Sequence, residues 1–79
     1  MVSLRIGELA RLAGVRPDTL RFYERKGVLP RPPRRPSGYR AYAPEAADLV
    51  RFIKRAQELG FSLQQVKELL GLRAVPRAT

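Results

Sequence analysis

Residues 30–38 read PRPPRRPSG, and neither a helix nor a central strand can run through them. Each of the four prolines holds φ near −65° and removes a backbone donor, which breaks helical hydrogen bonding and ladder pairing alike. The 79-residue chain is thereby divided into a segment before this stretch and a segment after it, and each must build its own elements. A chain of this size buries only about 60% of the surface its unfolded form exposes, so one small, economical core is all it can have. Hydrophobic residues make up 44% of the sequence, enough to supply that core.

Apolar spacing predicts four helices. The first covers about Gly7–Ala13, where Ile6, Leu9, Ala10 and Ala13 form a single stripe and Gly14 is suited to the left-handed conformation that stops it. The second covers about Pro17–Lys26, with proline at the first helical position and Gly27 at the end. Its N-cap falls on Arg16, where Ser or Thr would be worth about 1 kcal/mol more. The third runs from Pro44 to just before Gly60 in the register of Leu49, Phe52, Ile53, Ala56 and Leu59. Ser62 and Gln65 then form a capping box ahead of Leu63, Val66, Leu69 and Leu70, and Gly71 is expected to end the fourth helix. Residues 72–79, LRAVPRAT, lack periodicity and read as a frayed tail.

Val28-Leu29 and Arg40-Ala41-Tyr42 are expected to pair as a short antiparallel hairpin, with the proline-rich stretch as its stiff connection. The expected fold class is therefore mainly α: a winged helix-turn-helix of about four helices plus a short β-hairpin wing. Leu20, Phe22, Phe52, Ile53 and Phe61 are read as core packing, and Tyr42 as a strand residue stacked on the core with its hydroxyl near solvent.

The sequence lacks cysteine and histidine, which excludes disulfides, thiolate chemistry and the usual zinc sites. Its seven carboxylates are scattered, with no pair spaced for shared acid–base work, so the chain is not expected to be an enzyme and needs no cofactor or metal. No apolar run is long enough to cross a bilayer, and a soluble, cytoplasmic, nucleoid-associated protein is expected. Lys and Arg total sixteen against seven Asp and Glu, a net charge of +9, which calls for a polyanionic partner. Thirteen of the sixteen are arginine; the planar fork suits phosphate and guanine edges, although a GC-rich genome gives the same bias.

The charge is also segregated. From Arg25 to Pro44 there are six positive residues and no negative one, with Tyr39 and Tyr42 between them. Arg34, Arg35, Tyr39 and Arg40 then sit on a pre-stiffened arm suited to phosphates. On the second helix Arg16, Thr19, Arg21, Tyr23 and Lys26 form an outer face able to address a major groove. The same face also reads as a solvated one, with Arg21 paired to Glu24 and Tyr23 half buried. The same arginines would serve for an acidic protein partner.

The segments IGELARLAGV, DTLRFYERKGVLP, SGYRAY and RFIKRAQELGFSLQQVKELL resemble, in order and spacing, the DNA-binding domain of the MerR family of bacterial transcription regulators. The resemblance covers about residues 4–72. It implies a helix-turn-helix over about 6–26, a wing over about 28–42, and a second helical pair over about 44–71 acting as a further wing, with 73–79 as a flexible tail. Its implied function is sequence-specific binding of double-stranded promoter or operator DNA, with RNA polymerase engaged at the same promoter. Carried over residue by residue, Arg21 and Tyr23 would meet bases or adjacent phosphates. Thr19 would sit at the backbone near the helix start, and Tyr39 and Arg40 would grip phosphates. Two positions depart from the family pattern: Arg16 stands where relatives have a small hydroxylated residue, and Ala43 replaces the cap expected before Pro44.

The family also continues into a long dimerising helix and an effector domain. No heptad run is present here. The chain is thus expected to be an excised DNA-binding domain, monomeric or weakly dimeric, of a homodimeric relative. A protein-interaction module or a stand-alone, excisionase-like architectural protein is the alternative.

Overall fold

The structure, a computed structural model, describes residues 3–32, 36 and 40–74, with side chains through Gly71. Helix α1 spans Ile6–Ala13. The carboxylate of Glu8 accepts the backbone N–H of Arg5 at 2.8 Å, satisfying one donor at the helix start. Gly14 takes φ 74° and turns the chain, and the N–H of Val15 donates back to Ala10 O at 3.0 Å. Helix α2 then spans Pro17–Arg25 with Arg16 as N-cap, and the side chain of Arg16 makes no capping hydrogen bond.

The expected pairing of Val28-Leu29 with Arg40–Tyr42 does not form. The amides of Val28 and Leu29 both donate to Tyr23 O, at 3.1 and 3.3 Å, and so serve the end of α2. A helix C-terminus leaves carbonyls without partners, and the residues just past the stop are the nearest donors. Tyr42 instead bridges Leu4 in antiparallel fashion, with both N–H···O distances 2.8 Å. The return leg of the arm is thus fastened to the residues that enter α1.

Helix α3 spans Glu45–Glu58; Pro44 is already helical at φ −57° and ψ −29°, and no side chain caps the start. Helix α4 spans Leu63–Ala74. Its capping box forms as expected: Ser62 N–H donates to Gln65 Oε1 at 2.9 Å, and Gln65 N–H donates to Ser62 Oγ at 3.1 Å. Gly71 does not end this helix, because it stays out of the left-handed region that Gly14, Gly27 and Gly60 occupy. Glycine costs a helix about 1 kcal/mol relative to alanine, which weakens the helix without obliging it to stop.

Helix α3 is the central element, with α1 and α4 packed on it and α2 packed on α1. Leu9, Leu20, Val50, Ile53 and Val66 are fully buried at the junction. Side chains from α3 also reach the turn between α1 and α2. Arg51 Nη2 donates to Leu12 O at 2.9 Å and Lys54 Nζ donates to Gly14 O at 3.1 Å, so terminal carbonyls of α1 are capped from α3. Two expected core residues are not buried: Phe22 is 36% exposed and Phe61 42% exposed. Both are offset from the buried stripes: Phe22 sits beside the stripe of Leu20 and Tyr23 with its ring 6.2 Å from that of Tyr23, and Phe61 precedes the α4 cap. No helix among the described residues is long and apolar enough to cross a membrane.

Candidate nucleic-acid interface

Helix α2 has a buried face and an exposed one. Leu20 and Tyr23, three residues apart, are buried, and the alternate stripe of Asp18, Arg21, Phe22, Arg25 and Lys26 is exposed. Arg25 and Lys26 place their charges 6.0 and 5.7 Å from the centre of the Phe22 ring. An aromatic ring flanked by two cations offers a flat apolar surface inside a positive field. Arg21 forms an ion pair with Asp18 at 2.9 Å, with both side chains well exposed. A solvated pair of this kind is worth at most about 1 kcal/mol and yields readily to a stronger anion.

Tyr23 is a correction to the outer-face reading. It is 3% exposed, and its hydroxyl donates to Gln57 Oε1 at 2.8 Å. Burial raises its pKa, and the charge of Glu58 adds to the effect. The phenol belongs to the joint between α2 and α3 and supports the outer face from beneath.

Beside α2 lies a cleft of about 530 Å³ lined by Arg5, Arg21, Arg25, Arg31 and Arg40, with Glu24, Ile6 and Tyr42 completing its walls. It gathers side chains from the start of α1, from α2 and from both legs of the arm. Arg40 is half-buried, and its Nε is buried with no hydrogen-bond partner among the described residues. Glu24 accepts a hydrogen bond from the Tyr42 hydroxyl at 2.5 Å and lies 3.9 Å from Arg31 Nε. Burial, and then the bond to Glu24, push the Tyr42 phenol up to about 12. Tyr42 is 4% exposed, so its hydroxyl faces this carboxylate rather than solvent.

The residues singled out from sequence therefore divide. Arg16 and Arg21 are exposed on α2, Thr19 is half-buried beside them, and Arg40 enters the cleft. Arg34, Arg35 and Tyr39 lie outside the described residues. Sequence reasoning missed Arg5, Arg25 and Arg31 as cleft residues and Phe22 as an exposed one. The helical period could have found Phe22, since Leu20 and Tyr23 already define the inner face. No local signal could have brought Arg5 to Arg40. Among the described residues, no three His, Cys, Asp or Glu side chains gather to hold a metal.

Comparison with known proteins bears on the same elements. A model of the MerR HTH family of regulatory proteins matches residues 4–72. The chain is 49% identical over 71 residues to the mercuric resistance operon regulatory protein of Bacillus cereus, covering 90% of this chain and 54% of that protein. It is 43% identical over 72 residues to the HTH-type transcriptional regulator ZntR of Escherichia coli strain K12, covering 91% and 51%. The chain thus spans about half the length of the curated relatives it matches. These relatives are transcription regulators and not enzymes.

Among solved structures, the transcription regulator PbrR691 from Ralstonia metallidurans CH34, in complex with lead(II), superposes with a TM-score of 0.86. The identity is 36%, over 96% of this chain and 59% of that one. HiNmlR, a MerR family regulator lacking the sensor domain and bound to promoter DNA, superposes at 0.77 over 91% and 57%; at 24% identity this likeness bears on the fold alone. The helix spacing, the arm fastened beside α2 and the match over residues 4–72 lead to one conclusion: this chain belongs to the MerR HTH family of regulatory proteins and carries its winged helix-turn-helix DNA-binding domain.

Proposed function

We propose that the chain binds double-stranded promoter DNA sequence-specifically in the bacterial cytoplasm, with α2 in the major groove and the arginine arm on the phosphate backbone. The observation that carries this reading is the juxtaposition of two surfaces: the exposed stripe of α2 and, beside it, a cleft walled by five arginines. Arg16 and Arg21 reach from α2 toward base edges and flanking phosphates, and Thr19 sits at the backbone near the helix start. Phe22 lies flat against the groove wall between Arg25 and Lys26. Arg40 takes a phosphate oxygen in the cleft, and Arg34, Arg35 and Tyr39 extend the grip along the arm. In the complete regulator, paired as a homodimer, the same domain would share its promoter with RNA polymerase. The chain alone is a monomer or weak dimer. Its units are the helix-turn-helix over 6–26, the wing over 28–42 and the second helical pair over 44–71.

A fluorescence-anisotropy titration against a generic duplex across a salt series tests this. Affinity should fall by about 0.9 log units per log unit of salt for each phosphate contacted. Arg40→Ala should lower that slope by about one contact, and Arg21→Ala should in addition relax sequence preference in selection from random DNA. No binding at about 50 mM salt, or variants indistinguishable from the parent, would sink the reading and turn attention to an acidic protein partner.

A further inference from the structure

The arginine cleft contains a feature that phosphate attraction alone does not account for: a buried carboxylate. The side chain of Glu24 is only 6% exposed, and no other acidic side chain lines the cleft. A negative charge there lowers the positive potential that would draw in a phosphate, so its contribution must come from elsewhere. Its contacts show where. Glu24 stands on α2 and accepts the Tyr42 hydroxyl at 2.5 Å, a charge-assisted bond and therefore a strong one. It also lies 3.9 Å from Arg31 Nε on the outgoing leg of the arm. Tyr42 stands on the return leg and exchanges both backbone hydrogen bonds with Leu4, just ahead of α1.

One carboxylate thus connects α2, both legs of the arm and, through Tyr42, the entry to α1. We infer that Glu24 is a positioning residue: its bond to Tyr42 latches the arm to the recognition helix, so that Arg40 and α2 meet DNA as one pre-set surface. The inference rests on the DNA-binding reading and adds to it the residue that sets the geometry between the two contact surfaces. A latched arm has less ordering to do on binding, which raises affinity without any new contact. Arg40 lines the same cleft, and its buried Nε has no hydrogen-bond partner among the described residues.

Two substitutions test the latch without altering charge. Tyr42→Phe removes the donor and keeps the ring, and Glu24→Asp keeps the carboxylate and shortens its reach. Each variant is first checked for folding by circular dichroism and thermal melting, then titrated with the same duplex over the same salt series. Loss of one hydrogen bond of this class should raise Kd by up to about ten- to a hundredfold. The salt slope should fall by about one phosphate contact, a readout that a purely structural role leaves unchanged in folded protein. The double variant should bind no worse than either single one, because both remove the same bond. Folded single variants with parental Kd and slope, or effects that add in full, overturn the latch while leaving DNA binding standing. Absence of parental binding overturns the DNA reading and the latch with it.

Discussion

Tyr23 and Gln57, thirty-four residues apart in the chain, are joined by a 2.8 Å hydrogen bond from the phenol hydroxyl to the amide oxygen. The bond ties the C-terminal half of α2 to the last turn of α3. The ring beneath it is buried against the core. Tyr23 therefore anchors α2 to the core chiefly through its buried ring, with the hydroxyl adding one tie to α3.

Removing only that hydroxyl should cost stability and little else. Gln57 is exposed and can turn to water when its partner is lost, so Tyr23→Phe is expected to lower the unfolding free energy by about 1 kcal/mol. Folded Tyr23→Phe protein should bind duplex DNA as the parent does. Urea melts and an anisotropy titration on the same preparation check both halves, and a large loss of affinity would return Tyr23 to the contact surface.

Neighbouring residues on α2 should separate cleanly by role. Leu20 is fully buried, and Leu20→Ala is expected to cost about 2–5 kcal/mol of stability. Phe22 is 36% exposed, so Phe22→Ala should cost only about 1 kcal/mol or less while weakening duplex binding. Thermal melts beside titrations distinguish the two. Equal destabilisation by both would mean that the Phe22 ring is part of the core after all.

Alkaline unfolding should report on Tyr42. Its folded pKa is pushed to about 12 against an ordinary value of 10, by burial first and then by the bond to Glu24. The unfolded chain loses this proton first, so above pH 10 the unfolded state binds fewer protons and stability declines as pH rises. The loss runs from about pH 10 to about pH 12, and the contribution is fully present below that window. Tyr42→Phe, which has no proton to release, should show a flatter denaturation profile over that range. A parental slope in the variant would assign the effect to another group.

The start of α3 offers a stabilising substitution. Pro44 is helical and no side chain caps the helix, while Ala46 N–H donates at 2.9 Å only to the backbone oxygen of Ala43. A hydroxyl at position 43 would accept from the first turn, so Ala43→Ser is expected to add about 1 kcal/mol. Position 43 is exposed and outside the arginine cleft, and DNA affinity should not change. An unchanged melting temperature would show that the added hydroxyl does not reach the first-turn amides.

By itself the sequence determined where the helices lie and how most of them start or turn, because those signals are local. Gly14 ends α1, Pro17 opens α2, Ser62 and Gln65 cap α4, and Leu9, Ala10 and Ala13 lie on one buried stripe, each within a turn or two of the residue that requires it. The run TLRFYERKG and the words that accompany it carried the family resemblance in the same way. Only the tertiary structure decided which segments meet. Tyr42 pairs with Leu4 and not with Val28 or Leu29, because those amides are taken by the end of α2. Arg5, Arg31 and Arg40 share a cleft though dozens of residues separate the first from the last. The phenol of Tyr23, which the sequence places on the outer face of α2, is buried and finds its partner on another helix. Local chemistry names the element, and the competition among distant donors, acceptors and apolar faces chooses its neighbours.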